Sequence, residues 1–405
     1  MKTIFVSYLF IAIVLGLLRM IIIFYFSFKQ LRRKKILQEY NLINKPYLTV
    51  YKPKVSVVIP VYNEEVIISR TISAILKSDY PLTEILIIDD GSTDQTAAIV
   101  KKIYYYHPKV KVIQTENGGK ASALNIGFQN AVGDIVITID ADTVFTPQTI
   151  AQLVKNFSDP RVAAVTGNCK IGNIKKPLTV WQHIEYVTVQ NLEKRAFEEM
   201  DCITVVSGSN SAWRKSVVKQ LDYYHHDTLA EDSELTIRIL GANYKVIYDD
   251  EAVSYEECPE TFKDFIKQRY RWSYGVLQTA WKHKKLILSS RNKALKYFAV
   301  PSLVFSYVLF LTTPLVDLIF VVAILSGTTS IYLFALLFYF IDTLNSLVAF
   351  KIGKEKMKPL LWVIVQRLVY RYLLGYVTWK ALITALRGDR IGWGKLTRSG
   401  NNVYK

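Results

Sequence analysis

Hydrophobic positions along this chain fall into two regimes, long unbroken runs towards its two ends and short β-branched runs between them. From Ile4 to Phe28 nearly every residue is apolar, interrupted by small residues and by Arg19, and a helix crossing a bilayer needs roughly 20 such residues. The pattern predicts one transmembrane anchor. A cleaved leader fits less well, because the run is long, shows no small-residue cleavage pattern and leads directly into Lys29, Arg32, Arg33, Lys34 and Lys35. That basic cluster places the polar stretch after it on the cytoplasmic side. Three further apolar stretches follow late in the chain, Ala299 to Leu325, Ile331 to Phe350 and Leu360 to Leu386. The first two read as a hairpin, with the uncharged link Ser326 to Ser330 outside and Lys351, Lys354, Lys356 and Lys358 marking the return. The third carries Gln366, Arg367, Arg371 and Lys380, and a basic tail follows it (Arg387, Arg390, Lys395, Arg398). Spanning would strand those charges, so an interfacial or re-entrant helix is the cheaper expectation. Arg19, Asp317 and Asp342 sit inside apolar runs and are expected to pair with one another or to face a polar cavity.

Between residues 54 and about 250 the pattern changes period. Val55 to Pro60, Ile85 to Ile88, Val110 to Gln114 and Ile135 to Ile139 are nearly continuous apolar runs, as expected of strands buried on both faces of a parallel sheet. They recur about 25 to 30 residues apart, which suits strand-helix-strand units. In such a sheet ligands bind beyond the carboxyl ends of the strands. The residues there are polar and acidic: Pro60 to Glu64 after the first run, Asp89-Asp90-Gly91-Ser92-Thr93-Asp94 after the second, and Asp140-Ala141-Asp142 after the fourth.

Composition supports a hybrid of membrane and aqueous parts. Hydrophobic residues make up 51% of the 405 positions while charged residues still reach 21%, which excludes a disordered chain and a wholly lipid-buried bundle. The net charge of +17 would suit a nucleic acid, an anionic surface or a phosphorylated substrate. Its basic residues cluster beside the apolar runs and no nucleic-acid module is present, so nucleic acid is not an expected partner. Cys169, Cys202 and Cys258 form no C-x-x-C pair and predict neither a disulfide scaffold nor a zinc site. The five histidines show no metal spacing, and His225-His226 reads as a solvated loop.

The chemistry concentrates in a few clusters. The turn Pro60 to Glu65 has no glycine and no Walker A sequence is present, so a backbone phosphate cradle is excluded. Two carboxylates one residue apart at a strand end, Asp140 and Asp142, suit a hard divalent cation shared with substrate phosphates. An isolated Asp-x-Asp is more often a turn or a helix cap. Glu231-Asp232-Ser233-Glu234 opens an amphipathic helix, either as first-turn acids favoured by the helix dipole or as the seat of a general base. Gln268, Arg271 and Trp272 share one helix face, as either an interfacial anchor or a binding surface.

The order Asp89-Asp90, Asp140-x-Asp142, Glu231-Asp232, Gln268-x-x-Arg271-Trp272, followed by apolar helices, resembles the processive, inverting family 2 glycosyltransferases. Val206-Ser-Gly-Ser-Asn-Ser-Ala-Trp-Arg214 and Thr166-Gly-Asn168 are most similar to the bacterial poly-β-1,6-N-acetylglucosamine synthases among them. The resemblance implies an α/β, Rossmann-like GT-A catalytic domain, cytoplasmic and embedded between transmembrane α-helices of the plasma (inner) membrane. Its expected parts are an anchor (1–35), the catalytic domain (50–255), interfacial helices (256–298), a transmembrane hairpin (299–350) and a membrane-associated helix with a cytoplasmic tail (359–405). It implies polymerisation of a sugar from a UDP-sugar, UDP-N-acetylglucosamine first, onto a growing polysaccharide. Asp89, Asp90, Lys120, Asp140 and Arg271 are then expected on the nucleotide sugar, Mg²⁺ or Mn²⁺ on Asp140 and Asp142, Asp232 as general base, and Gln268 and Trp272 on the acceptor. The tail Gly392 to Arg398 is similar to the gating segment of such synthases. One helix instead of two before the domain departs from the group's pattern and leaves open a small membrane subunit or a homodimer as partner. The alternatives are a non-processive transferase acting on a membrane lipid and another synthase, of cellulose or hyaluronan.

Overall fold

The computed structural model describes residues 2–44, 51–325, 330–388 and 400. A 43-residue helix, α1 (Lys2–Asn44), leads into an eight-stranded sheet. In chain order the domain runs β1 (Val55–Val61), α2 (Ile68–Leu76), β2 (Glu84–Asp90), α3 (Thr96–Tyr104), β3 (Val110–Thr115), α4 (Lys120–Asn130) and β4 (Ile135–Thr138). It continues through β5 (Thr143–Phe145), α5 (Thr149–Lys155), β6 (Val162–Ile171), α6 (Pro177–Thr188), α7 (Lys194–Glu199), β7 (Ser211–Arg214), α8 (Lys215–Gln220), α9 (Glu231–Gly241) and β8 (Lys245–Glu256). The helices α10 (Phe262–Lys282), α11 (Lys284–Ser289), α12 (Val300–Leu325), α13 (Ser330–Ile352) and α14 (Val363–Arg387) follow.

The strand order is β3-β2-β1-β4-β7-β6-β8-β5. Only its first half is the parallel sheet expected from the sequence: β1 pairs in parallel with β2 and β4, and β2 with β3. Beyond β4 the sheet is mixed, because β7 runs antiparallel to both β4 and β6 and β5 runs antiparallel to β8. Alternation explains the continuous apolar runs. Val55, Val57, Ile59 and Val61 enter one core with α2 and α5, while Val58 enters the other with α4, α8 and α9. The parallel strands β1, β2 and β4 are therefore hydrophobic on both faces. The exception is β3, an edge strand with Lys111 exposed and paired to the buried Glu84 at 2.9 Å.

The first β-to-α turn has no glycine because Asn63 takes the left-handed conformation at φ 56°, which asparagine tolerates better than most residues. Its side-chain oxygen accepts the Thr93 amide at 2.7 Å and binds this loop to the one after β2.

The basic end of α1 is spent largely on the domain. Arg33 pairs with Glu198 at 2.6 Å and Glu199 at 2.7 Å, Lys29 with Glu199 at 3.2 Å, and Lys34 with Asp250. Arg195, 2% exposed, donates to Gln30 and to Asp250 at 2.6 Å. Of the ionisable residues inside the apolar runs, Arg19 and Asp342 each have another partner. Arg19 binds Glu193 at 2.9 Å and also the Ser302 hydroxyl, and Asp342 binds Arg367. The side chain of Asp317 and the tail Gly392 to Arg398 lie outside the described residues.

Among the described residues three helical stretches are long and apolar enough to cross a membrane by length and composition, Val6–Tyr40, Leu295–Val316 and Lys358–Arg387. The charges of the last stretch are partnered. Besides the Arg367 pair, Gln366 donates to the Trp181 carbonyl and Lys380 stands over the Tyr270 ring. Near both ends α14 touches elements of the domain side, through Tyr370 on Phe265 and Thr384 on Tyr270, and between them Trp379 donates to Leu311 of α12. Phe10 and Ile21 of α1, Leu315 of α12, Leu336 of α13 and Ile364 of α14 remain more than half exposed, as suits surfaces facing lipid.

Asp250→Ala should leave the buried Arg195 guanidinium without its carboxylate. Breaking such a pair from one side costs about 3 kcal/mol, to be read as a lowered thermal midpoint of the purified chain in detergent.

Candidate active site

The carboxyl ends of β1, β2 and β4 open into a cleft of about 590 Å³, closed from the other side by the end of α6, the starts of α7 and α9, and by α10. Asp90, Lys120, Asp140, Asp142, Asp232, Gln268, Arg271 and Trp272 all line it. Asp89 does not. It is 1% exposed, and its carboxylate accepts the Ser92 amide at 3.0 Å and the Gln114 side chain at 3.3 Å, so it shapes the turn.

Asp90 ends β2 and accepts from two successive backbone amides, Gly118 at 2.8 Å and Gly119 at 2.9 Å. The turn requires Gly119 at φ 84°, a conformation that an L side chain adopts with difficulty. It delivers Lys120 at the first position of α4, with its ammonium 2.6 Å from Asp140 and 3.4 Å from Glu231. Those carboxylates hold the lysine protonated against the cost of burial, which alone would lower its pKa.

Asp232 is reached by the Gly208 amide at 3.2 Å and its own helix's Ser233 amide at 2.7 Å. Burial, and then the charge of Glu231, raise its pKa to about 6, with Lys120 pulling the other way. Lys194 lies at the same cleft and donates to the Thr166 hydroxyl at 3.1 Å; burial pushes its ammonium down to about 8. A proton acceptor tuned near neutrality and cations able to meet phosphate oxygens thus share one desolvated space.

Helix α10 is started by Thr261, whose hydroxyl accepts the Asp264 amide at 3.2 Å. Gln268 is 6% exposed, and its carbonyl oxygen has no hydrogen-bond partner among the described residues. Arg269 pairs with Glu185 at 2.7 Å and stands 4.7 Å over the Trp272 ring, which fixes the indole from one side. The helix approaches α9 closely at Gly275: a Cβ there would lie 2.7 Å from the Ala230 amide nitrogen.

Sequence reasoning left three of these groups without a place in the cleft. Glu231 was visible as a first-turn acid, and Arg269 was hidden between Gln268 and Arg271. Lys194 lies in a helical stretch with no local signal and reaches the cleft only because α7 packs beside β6 and β8.

Among the described residues no cluster of three or more His, Cys, Asp or Glu side chains could hold a metal by itself. Asp140 and Asp142 supply two hard oxygen donors on one wall, and Asp140 already holds a cation, the Lys120 ammonium. This set fits a divalent ion completed by substrate phosphates.

Residues 56–222 match the model described as "Glycosyl transferase family 2". This segment is similar to family 2 glycosyltransferase domains. It includes Asp90, Lys120, Asp140 and Asp142, while Asp232 and the α10 residues lie beyond it. The chain is 35% identical over 231 residues to "Probable glycosyltransferase YdaM" of Bacillus subtilis, covering 55% of each. It is 34% identical over 238 residues to a poly-beta-1,6-N-acetyl-D-glucosamine synthase of Staphylococcus aureus, covering 58% of each. The Staphylococcus epidermidis synthase is likewise 34% identical, over 242 residues. The chain thus spans a little over half the length of the curated relatives it matches. A solved mannosyltransferase from Pyrobaculum calidifontis, in complex with GDP-Man and Mn²⁺, covers 92% of this chain at TM-score 0.58 and 20% identity; all of that chain is covered, and the likeness shows a shared GT-A fold.

Gly275→Ala should force α9 and α10 apart. Overpacking of this kind costs about 1 to 3 kcal/mol, measurable as lost thermal stability of the purified protein.

Proposed function

We propose that the chain is a membrane-embedded, inverting β-glycosyltransferase that polymerises sugar from a UDP-sugar, with UDP-N-acetylglucosamine as donor, and that its catalytic domain faces the cytoplasm. The observation that carries this reading is the convergence of Asp232, Lys120, Asp140 and the Gln268, Arg271 and Trp272 face of α10 on one cleft. The names of the staphylococcal relatives favour the donor.

In this reading Asp90 and the amides it organises face the nucleoside end, and Lys120 and Arg271 meet the diphosphate. Arg271 can meet phosphate oxygens with two parallel hydrogen bonds, Lys120 as a point charge. Asp140 and Asp142 would hold Mg²⁺ or Mn²⁺, which supplies charge neutralisation to the departing diphosphate. The acceptor hydroxyl oxygen bonds to the anomeric carbon as the bond from that carbon to the phosphate oxygen breaks. The bonding pair leaves with UDP, and the hydroxyl proton passes to Asp232. Attack opposite the leaving group turns an α-linked donor into a β-linked product. Trp272 offers the ring face away from Arg269 to the acceptor sugar, and Gln268 its carbonyl oxygen, which has no hydrogen-bond partner among the described residues. The exposed apolar surfaces of α1, α12, α13 and α14 face the bilayer.

Incubating membranes that contain the full chain with UDP-N-acetylglucosamine, UDP-glucose and UDP-glucuronate separately, and sizing the products, tests the reading. A polymer from the first alone is expected, and no sugar-nucleotide turnover with any donor overturns the assignment. Chelation should abolish turnover and Mg²⁺ or Mn²⁺ restore it.

Asp232 acts as a carboxylate, so its active fraction falls as pH drops through its pKa of about 6. Transfer should decline below that pH while UDP affinity persists, and Asp232→Asn should lower transfer about 10² to 10⁴-fold above that pH and by progressively less below it. Turnover and UDP affinity on one preparation check both outcomes.

A further inference from the structure

One carboxylate of the Glu231-Asp232-Ser233-Glu234 turn points away from the cleft. Glu234 is 0% exposed, and four side chains converge on it. Arg238, one turn along α9, reaches it at 2.8 Å, and Lys282 in the last turn of α10 donates at 2.9 Å. His283, directly after α10, lies at 2.8 Å, and His225 of the preceding loop at 3.1 Å. Lys282 also binds Asp227 at 2.7 Å, and Gln278 of α10 accepts the Leu229 amide at 3.0 Å, so the loop before α9 is held to the same helix. Burial would raise the Glu234 pKa, but hydrogen bonds from His283, Arg238 and Lys282 keep it well below the usual carboxylate range. The charge therefore persists throughout the neutral range.

We propose that Glu234 is a positioning residue: by tying the base-bearing helix α9 to the C-terminal end of α10 it sets where Asp232 sits relative to Gln268 and Trp272. This rests on the assignment of Asp232 as the base. Two helices meet at Gly275 and Ala230, one residue before Glu231, with no room for a side chain. A contact that close fixes their separation and leaves their relative rotation to be fixed elsewhere. Glu234 supplies that second point, about two turns of α10 beyond the first. It touches neither the donor cleft nor the acceptor face, so its influence is exerted through Asp232.

The test uses the full chain in detergent with UDP-N-acetylglucosamine, comparing wild type with Glu234→Gln, Glu234→Asp and Lys282→Met. Transfer to acceptor, release of UDP to water and UDP affinity are measured on each preparation. A misplacement near 1 Å can cost about 10²-fold in a reaction between two oriented groups, whereas water is small and free to reorient. Glu234→Gln should therefore lower transfer about 10 to 100-fold, with UDP affinity within about twofold and hydrolysis reduced much less. Glu234→Asp, which keeps the charge, should recover part of the loss, and Lys282→Met should shift the ratio of transfer to hydrolysis in the same direction by less. An unchanged ratio in Glu234→Gln overturns the proposal, as does a parallel fall of transfer, hydrolysis and UDP affinity, which marks a general structural role. If Glu234→Gln does not fold, the ratio in Lys282→Met decides in the same way. Absence of UDP release by the wild-type chain with any UDP-sugar would instead refute the wider reading of the cleft.

Discussion

Three carboxylates, Asp140, Glu231 and Asp232, face one partly desolvated cleft, and like charges in such a place cannot all stay ionised unless a cation lies among them. Lys120 is that cation, 2.6 Å from Asp140 and 3.4 Å from Glu231. Its position depends on the left-handed turn at Gly119 and on the two amides that Asp90 holds. The conformation of the loop between β3 and α4, held by Asp90 at the end of β2, is thus transmitted to the far wall of the cleft. Burial still wins partly at Asp232, whose pKa stays raised, and an acid poised near neutrality is what a base for a hydroxyl proton requires.

The second constraint is the join between the long apolar helices and the sheet domain. The end of α1 does not hang free as a basic strap for lipid headgroups. It is pinned through Lys29, Arg33 and Lys34 to carboxylates of α7 and the bend in β8, with Arg195 buried beneath. On the other side Trp181, Phe265 and Tyr370 lock α6, α10 and α14 into one apolar cluster. The helix carrying Gln268 and Trp272 is consequently held by the sheet domain and by the long apolar helices together.

The period of apolar residues by itself determined the parallel half of the sheet, because strands buried on both faces must be apolar throughout, and with it the rule that chemistry gathers at the strand ends. It also determined the shared face of Gln268, Arg271 and Trp272, since helical geometry places i, i+3 and i+4 together. Only the tertiary structure decided the rest. The mixed half of the sheet depends on β7 inserting between β4 and β6, a long-range pairing that no local period encodes. Asp89 and Asp90 are adjacent in sequence, yet strand alternation turns one into a buried turn and the other to the cleft. Arg19 found Glu193 of the domain, and Asp342 found Arg367 on a helix whose charges had counted against burial. Lys194 reaches Thr166 of β6, and Glu234 adds Lys282 and His283 to its helical neighbour Arg238, because the environment of a buried charge is completed by packing between segments distant in sequence.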